Sequence, residues 1–265
     1  VIAVNDDPTI TTPSAVQTMV EGVGNTHVVG GITFADIDDA DVGGPIAATV
    51  TLAVPAGDGT LMVDGSVVGG ATVTSGNGTN SVVLDGTIAQ INATLAAATG
   101  VTYTVPDGDF NSTVNGGPVE LSVAINDNGN FGSGGGVDQT ATVNINITPV
   151  NDEPDFTILG STAISLDEDA PAQSIANFID TNFDRGAGGD EAGQSIADFI
   201  VSDDNSSLFS VRPDIANDGT LTFTVAPNAS GSATVTVQLQ DDGGTANSGD
   251  DTSQFKTFTI TVNPI

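Results

Sequence analysis

Val150-Asn151-Asp152-Glu153-Pro154 repeats Val4-Asn5-Asp6-Asp7-Pro8, and the asparagines at 5 and 151 stand 146 positions apart. The second copy follows the run Ala141-Thr142-Val143-Asn144-Ile145-Asn146-Ile147-Thr148, and the chain closes on a similar run, Phe258-Thr259-Ile260-Thr261-Val262, before Asn263-Pro264-Ile265. Strict alternation of apolar and polar residues puts Val143, Ile145 and Ile147 on one face, which is the pattern of a half-buried strand. An Asn-Asp pair directly after such a strand, held by a proline of fixed φ, places short oxygen-bearing side chains where a hard cation can be held. The plainer alternative is a turn that caps the strand. The recurrence marks a piece of a tandem array, whose modules bind and space rather than catalyse.

Outward from these markers the chain reads as short strands bounded by Gly, Asp and Asn. In the first repeat these span 27–34, 46–54, 67–74, 101–105, 119–125 and 140–147. In the second they span 156–159, 163–166, 208–211, 221–225, 233–239 and 255–262. The helical exception is 88–98, where Ile88, Ile91, Leu95 and Ala98 recur at helical spacing and Asp85 or Thr87 can cap the start. The closing halves of the repeats correspond in order: strand, acidic glycine loop, strand, proline. The opening halves differ, with extra material in the first around residues 55–100. The expected fold is all-β, two tandem Greek-key β-sandwiches over residues 1–150 and 151–265, with one short helix in the first.

Composition narrows the function. The formal net charge is −31, from 34 acids against Arg185, Arg212 and Lys256. That balance excludes nucleic acid and anionic membrane as electrostatic partners. With 38% apolar residues in strand-like alternation, the chain is not a disordered acidic tail. Of the acids, 29 are Asp and five are Glu, and short carboxylates near the backbone suit turns and Ca²⁺ loops. There is no cysteine, so disulfides and thiolate metal sites are unavailable and bound metal is the natural source of extra stability. No apolar run is long enough to insert in a membrane, and the first residues lack the features of a signal peptide.

The closing strand with V-N-D-x-P, an early glutamate in "MVEG" (19–22) and "LDEDAP" (166–171), and a late acidic glycine loop together resemble bacterial cadherin-like repeats. Such repeats occur in very large surface adhesins and other tandem-repeat exoproteins. "DEAGQSIADFIVSDDNSSLFSV" (190–211) is similar to one common repeat type and "DGTIAQINATLAAATGVTYTVPDGDFN" (85–111) to another, so the likeness covers essentially the whole chain. It implies extracellular, cell-surface modules that bind several Ca²⁺ ions. Their partners would be neighbouring repeats of the same chain, and a homophilic, cell-surface or glycan ligand is a further possibility.

A seven-strand sandwich in a linear array gathers its B–C and F–G turns at the N-terminal pole and its A–B and E–F turns at the C-terminal pole. This predicts an internal junction set: Glu21, Asp107 and Asp109 from the bottom of repeat one, Asn151, Asp152 and Glu153 from the linker, and Asp190, Glu191, Asp241 and Asp242 from the top of repeat two. The N-terminal pole of repeat one would carry Asn5, Asp6, Asp36, Asp38 and Asp127. The C-terminal pole of repeat two would carry Glu168 and Asp169, an incomplete set. Arg185, five residues before Asp190, is expected either to weaken the junction site or to pair with an exposed carboxylate. The bland reading of every one of these is a solvated or turn-forming Asp loop.

Catalysis is not expected. One histidine, His27, and no cysteine cannot build a nucleophilic triad or a zinc centre. No tryptophan and a single tyrosine, Tyr103, leave no stacking platform for sugar rings, and no P-loop pattern occurs. The six N-x-S/T sequons read as loop composition. The sequence therefore predicts non-catalytic Ca²⁺-binding extender or adhesion modules. A recognition module, or an accessory domain of a secreted hydrolase, is the alternative.

Overall fold

The computed structural model describes residues 5–22, 24–38, 47–129, 136–186 and 188–265. Two compact units form, Val1–Pro149 and Val150–Ile265.

Unit one contains β1 (Thr9–Thr11), β2 (Gln17–Val20), β3 (Thr26–Val28), β4 (Thr33–Ala35), β5 (Ala47–Ala53), β6 (Thr60–Val63), β7 (Thr72–Ser75), β8 (Ser81–Thr87), the helix α1 (Ile88–Leu95), β9 (Val101–Thr104), β10 (Val119–Asn126) and β11 (Gln139–Thr148). Its large sheet has the order β2-β11-β10-β5-β8-β7, its small sheet the order β3-β9-β6, and β1 pairs with β4. The alternation along β10 places Val119, Leu121, Val123 and Ile125 wholly inside. Each such side chain contributes roughly 1.5–3 kcal/mol relative to exposure.

The extra material of repeat one is a β-hairpin and a helix. β8 pairs with β5 from Ala47↔Thr87 to Ala53↔Ser81, and β7 extends the sheet beyond it. α1 starts in a capping box, with Gln90 N–H donating to Thr87 Oγ1 at 3.2 Å and Thr87 N–H donating to Gln90 Oε1 at 2.9 Å. It stops short of the expected Ala98. Ala97 N–H bonds Thr94 O at 3.3 Å, and this three-residue spacing tightens the last turn.

Unit two contains β12 (Ala163–Asp167), β13 (Gln173–Ile175), β14 (Ile196–Asp203), β15 (Phe209–Ile215), β16 (Leu221–Val225), β17 (Gly231–Asp241) and β18 (Lys256–Asn263). The sheets are β12-β18-β17-β14 and β13-β16-β15. In both units the strand after the first turn runs parallel to the last strand, β2 on β11 and β12 on β18. Unit two's core is built on phenylalanine, with the Phe178 and Phe258 rings 4.7 Å apart edge to face.

Several strand expectations differ from the structure. Residues 27–34 are not one strand but end β3 and begin β4, which lie in different sheets. Residues 67–74 pair only from Thr72, because Val68 is 99% exposed beside a left-handed turn at Gly69. Residues 156–159 make only an isolated bridge, Ile158↔Ile179. β1, β2, β6, β8 and β13 were not anticipated, and neither was β14. A register shift between Ile196 and Asp198 breaks its alternation, and Phe199 is its one buried residue. The expected first-repeat strand began at Ile46, which lies outside the described residues, as does most of the "ADIDDADVGG" loop. No helix among the described residues is long and apolar enough to cross a membrane.

Candidate metal centre

Burial singles out particular acids. Among the described residues the buried carboxylates are Glu21 (6% exposed), Asp38 (4%), Asp127 (1%), Glu191 (3%) and Asp241 (2%), and all of them belong to the sequence-predicted set. Burying a charge is costly unless it is compensated. Two of the chain's three Lys and Arg residues pair with other acids. Arg212 pairs with Asp203 at 2.7 Å and Lys256 with Asp155 at 2.8 Å. Arg185 lies over the Phe183 ring at 4.5 Å, and its Nε donates to Gln194 O at 2.8 Å.

The N-terminal end of unit two is the most elaborated site. Three segments build it: the leading residues Asn151 and Asp152, the short 3₁₀ turn Asp190–Gly193 that precedes β14, and the loop after β17. Asn151 ties them together. Its Nδ2 donates to Asp241 Oδ1 at 3.2 Å and to Asp250 O at 2.8 Å, its Oδ1 accepts from Gln194 Nε2, and its carbonyl accepts from Asp250 N at 2.9 Å. Two glycines make the fit possible. A Cβ on Gly243 would fall on the Asn151 amide, and one on Gly186, whose φ is +107°, would fall on Asp152.

Glu191 and Asp241 each present an unsatisfied oxygen. Asp241 Oδ1 accepts from Gly243 N at 2.8 Å and from Asn151, while Oδ2 is buried without a partner. Glu191 Oε2 and Gln194 Oε1 are buried without partners as well. Burial pushes the Glu191 carboxyl up to about 7, helped by the neighbouring charges of Asp190 and Asp152. Burial also raises Asp241, with Asp251 and Asp242 adding to the effect against its hydrogen bonds. Such oxygens suit a hard cation. Among the described residues, however, no three carboxylate or imidazole side chains stand close enough to make a cage by themselves. Neutral oxygens or water must complete any coordination. Asp242 is a staple, its Oδ1 accepting from Ser195 N at 2.8 Å, and Glu153 is exposed.

Unit one repeats the arrangement at its own N-terminal end. Asp6 N–H donates to Asp38 Oδ2 at 2.8 Å, and Asp38 N–H to Asp36 Oδ1 at 3.0 Å, beside a cavity of about 460 Å³ lined by Asp6, Asp7 and Asp36. Asp127, at the end of β10, accepts from Gly129 N on Oδ1 at 3.1 Å, as Asp241 does from Gly243 at the end of β17. Asn5 is half-buried.

At the opposite end of unit one, Glu21 meets the 107–111 loop through Asn111, which is fully buried and donates Nδ2 to Glu21 Oε2 at 2.6 Å. Asp107 is exposed and accepts from Asp109 N at 3.2 Å. In unit two the corresponding acids are weaker candidates. Glu168 Oε1 accepts from Ile265 N at 3.0 Å and the exposed Asp169 from Asn228 N at 3.0 Å, and the turn "APNASG" (226–231) carries no acid. Sequence reasoning missed Asn111 and Gln194. The D-x-D-x-N spacing of Asp107, Asp109 and Asn111 signals the first, and nothing local signals the second.

No protein-family model matches the chain, and no curated protein matches it in sequence. Solved structures do match. The EC1-2 fragment of human protocadherin-24 aligns with a TM-score of 0.49 and 14% identity over 97% of this chain and 99% of that one. Mouse cadherin-23 EC22-24 aligns at 0.44 and 12% over 98% of this chain and 67% of that one. The human desmocollin-1 ectodomain aligns at 0.38 and 16% over 98% of this chain and 42% of that one. The chain is similar to these tandem extracellular cadherin domains only at that level, and its two-unit, all-β architecture rests on the strand pairing described above.

Proposed function

We propose that this chain is a pair of non-catalytic, Ca²⁺-binding spacer modules from a large extracellular surface protein of the bacterial adhesin kind. The observation that carries the reading is the burial of Glu191 and Asp241 with unsatisfied oxygens in a chain whose Arg212 and Lys256 pair with other acids and whose Arg185 is turned to the Phe183 ring and the Gln194 carbonyl. Bound Ca²⁺ would supply the missing positive charge through six to eight oxygen ligands at about 2.3–2.6 Å. Glu191 and Asp241, completed by neutral oxygens or water, would hold it at the N-terminal end of unit two, and Asp38 and Asp127, completed in the same way, would do so at that of unit one. Glu21, with Asp107 and Asp109, would form a further set within unit one. Without a cation the repulsion among these carboxylates opposes the hydrogen bonds that hold Asn151, and with one that repulsion is offset and the linker stiffens.

Thermal melts of the whole chain in chelator, in a Ca²⁺ series and in Mg²⁺ test this. A saturable, Ca²⁺-selective rise in Tm is expected, because a ligand bound only by the folded state stabilises it. A melt unmoved by millimolar Ca²⁺ sinks the metal reading. Small-angle scattering tests the mechanical part: the maximum dimension should become better defined and longer with Ca²⁺.

One observation favours a second reading, adhesion through a sheet face. Val28 (43% exposed) and Met62 (57%) flank Thr102 in register on the outer face of the β3-β9-β6 sheet. Concentration-dependent dimerisation in sedimentation, abolished by Met62→Lys, would establish it.

A further inference from the structure

The amide orientations at the N-terminal end of unit two are dictated in sequence, each by the one before. Two acceptors, Asp250 O and Asp241 Oδ1, face one end of the Asn151 amide at 2.8 and 3.2 Å, so that end must be Nδ2. Its Oδ1 therefore faces Gln194 and requires a donor there, which only Gln194 Nε2 can be. Gln194 Oε1 is left turned the other way, buried and without a donor. Flipping either amide would set oxygen against oxygen. Among the described residues of unit two, the other two partnerless buried side-chain oxygens belong to Glu191 and Asp241. Glu191 joins Gln194 through the backbone of one turn, Gln194 N–H donating to Glu191 O at 2.9 Å, and the Asn151 side chain bridges Gln194 to Asp241.

Three buried acceptors without donors cannot satisfy one another. Two are carboxylates and one is neutral. We propose that Gln194 Oε1 is a direct, neutral ligand of the cation held by Glu191 and Asp241. Asn151, whose amide and carbonyl are already engaged by protein groups, is a positioning residue and not a ligand. The assignment rests on the Ca²⁺ reading above. It also answers the lack of a three-carboxylate cage, since an amide oxygen supplies the coordination that a third acid would otherwise provide.

The test is Ca²⁺ titration calorimetry on the whole chain, wild type against Gln194→Met and Gln194→Glu. If Oε1 is a ligand, Gln194→Met weakens one class of sites by about tenfold, the effect of removing one oxygen. Gln194→Glu keeps an oxygen in that place but sets its second oxygen against Asn151 Oδ1, so it binds more weakly than wild type and clearly more tightly than Gln194→Met. If Gln194 only clamps Asn151, Gln194→Glu is as damaging as Gln194→Met, because its second oxygen faces Asn151 Oδ1. That result overturns the proposal, and so does unchanged binding by Gln194→Met. A wild-type chain that takes up no Ca²⁺ defeats the underlying metal reading and the assignment with it. Should Gln194→Met fail to fold, carbon-13 glutamine labelling of the wild type decides. The Gln194 side-chain carbonyl resonance, identified by its loss in Gln194→Glu, must shift on Ca²⁺ addition, and an unmoved resonance overturns the proposal.

Discussion

Glu191 carries a proton at pH values where an exposed glutamate does not, because burial and the charges of Asp190 and Asp152 raise its carboxyl to about 7. In the metal-free protein the folded state then binds more protons than the unfolded state between about pH 4.5 and pH 7. Stability must fall as pH rises through that window. Melts in chelator should show a higher Tm at pH 5.5 than at pH 8, and Glu191→Gln should flatten the difference. Ca²⁺ uptake has the opposite dependence, since the ionised carboxylate is the ligand. Gly243 makes a second residue-scale prediction. A Cβ there would displace the Asn151 amide. Gly243→Ala should therefore destabilise the chain by about 1–3 kcal/mol in urea titrations, the usual cost of overpacking, and blunt its response to Ca²⁺.

At the scale of the element, the two units use the same strand plan with different edges. In unit one β8 covers β5, whereas the corresponding β14 of unit two is an edge of its sheet. The covering hairpin leads into α1, whose start depends on the Thr87–Gln90 capping box. Thr87→Ala should cost about 1 kcal/mol in urea denaturation without touching Ca²⁺ binding, since it lies apart from the proposed ligands. The 107–114 turn is also held from within. Asn111 accepts from Thr113 N at 2.9 Å and Val114 N at 3.0 Å while it donates to Glu21. Asn111→Ala leaves buried groups unpaired and should cost about 1–3 kcal/mol, read from the shift in denaturation midpoint.

Over the whole molecule the formal charge of −31 is a stability term in its own right. Like charges repel most in the compact state, and salt screens them over a Debye length of about 8–10 Å. In chelator, raising NaCl should raise Tm by general screening. If Ca²⁺ is bound at defined sites, millimolar Ca²⁺ must raise it further than the same ionic strength of NaCl. Equal rises would mean that the acids act only as a diffuse charge.

The all-β class, the two sandwiches and the short helix were legible in the sequence because they rest on local periodicity: alternation in Val119–Ile125 and Leu221–Val225, helical spacing in Ile88–Leu95. The chain wrote its candidate acids plainly too, since Asp-rich loops at strand ends are a local pattern. β14 escaped because a bulge interrupts its alternation, and residues 67–71 misled because a run of valines carries no record of whether a partner strand lies beside it. Burial was decided only in three dimensions. Nothing in "DEAGQ" distinguishes the half-buried Asp190 from the buried Glu191, or shows that Gln194 turns an oxygen inward. Those properties belong to the meeting of the Asn151 segment with loops roughly 40 and 90 residues further along the chain, and hydrogen-bond direction across such distances is a tertiary fact.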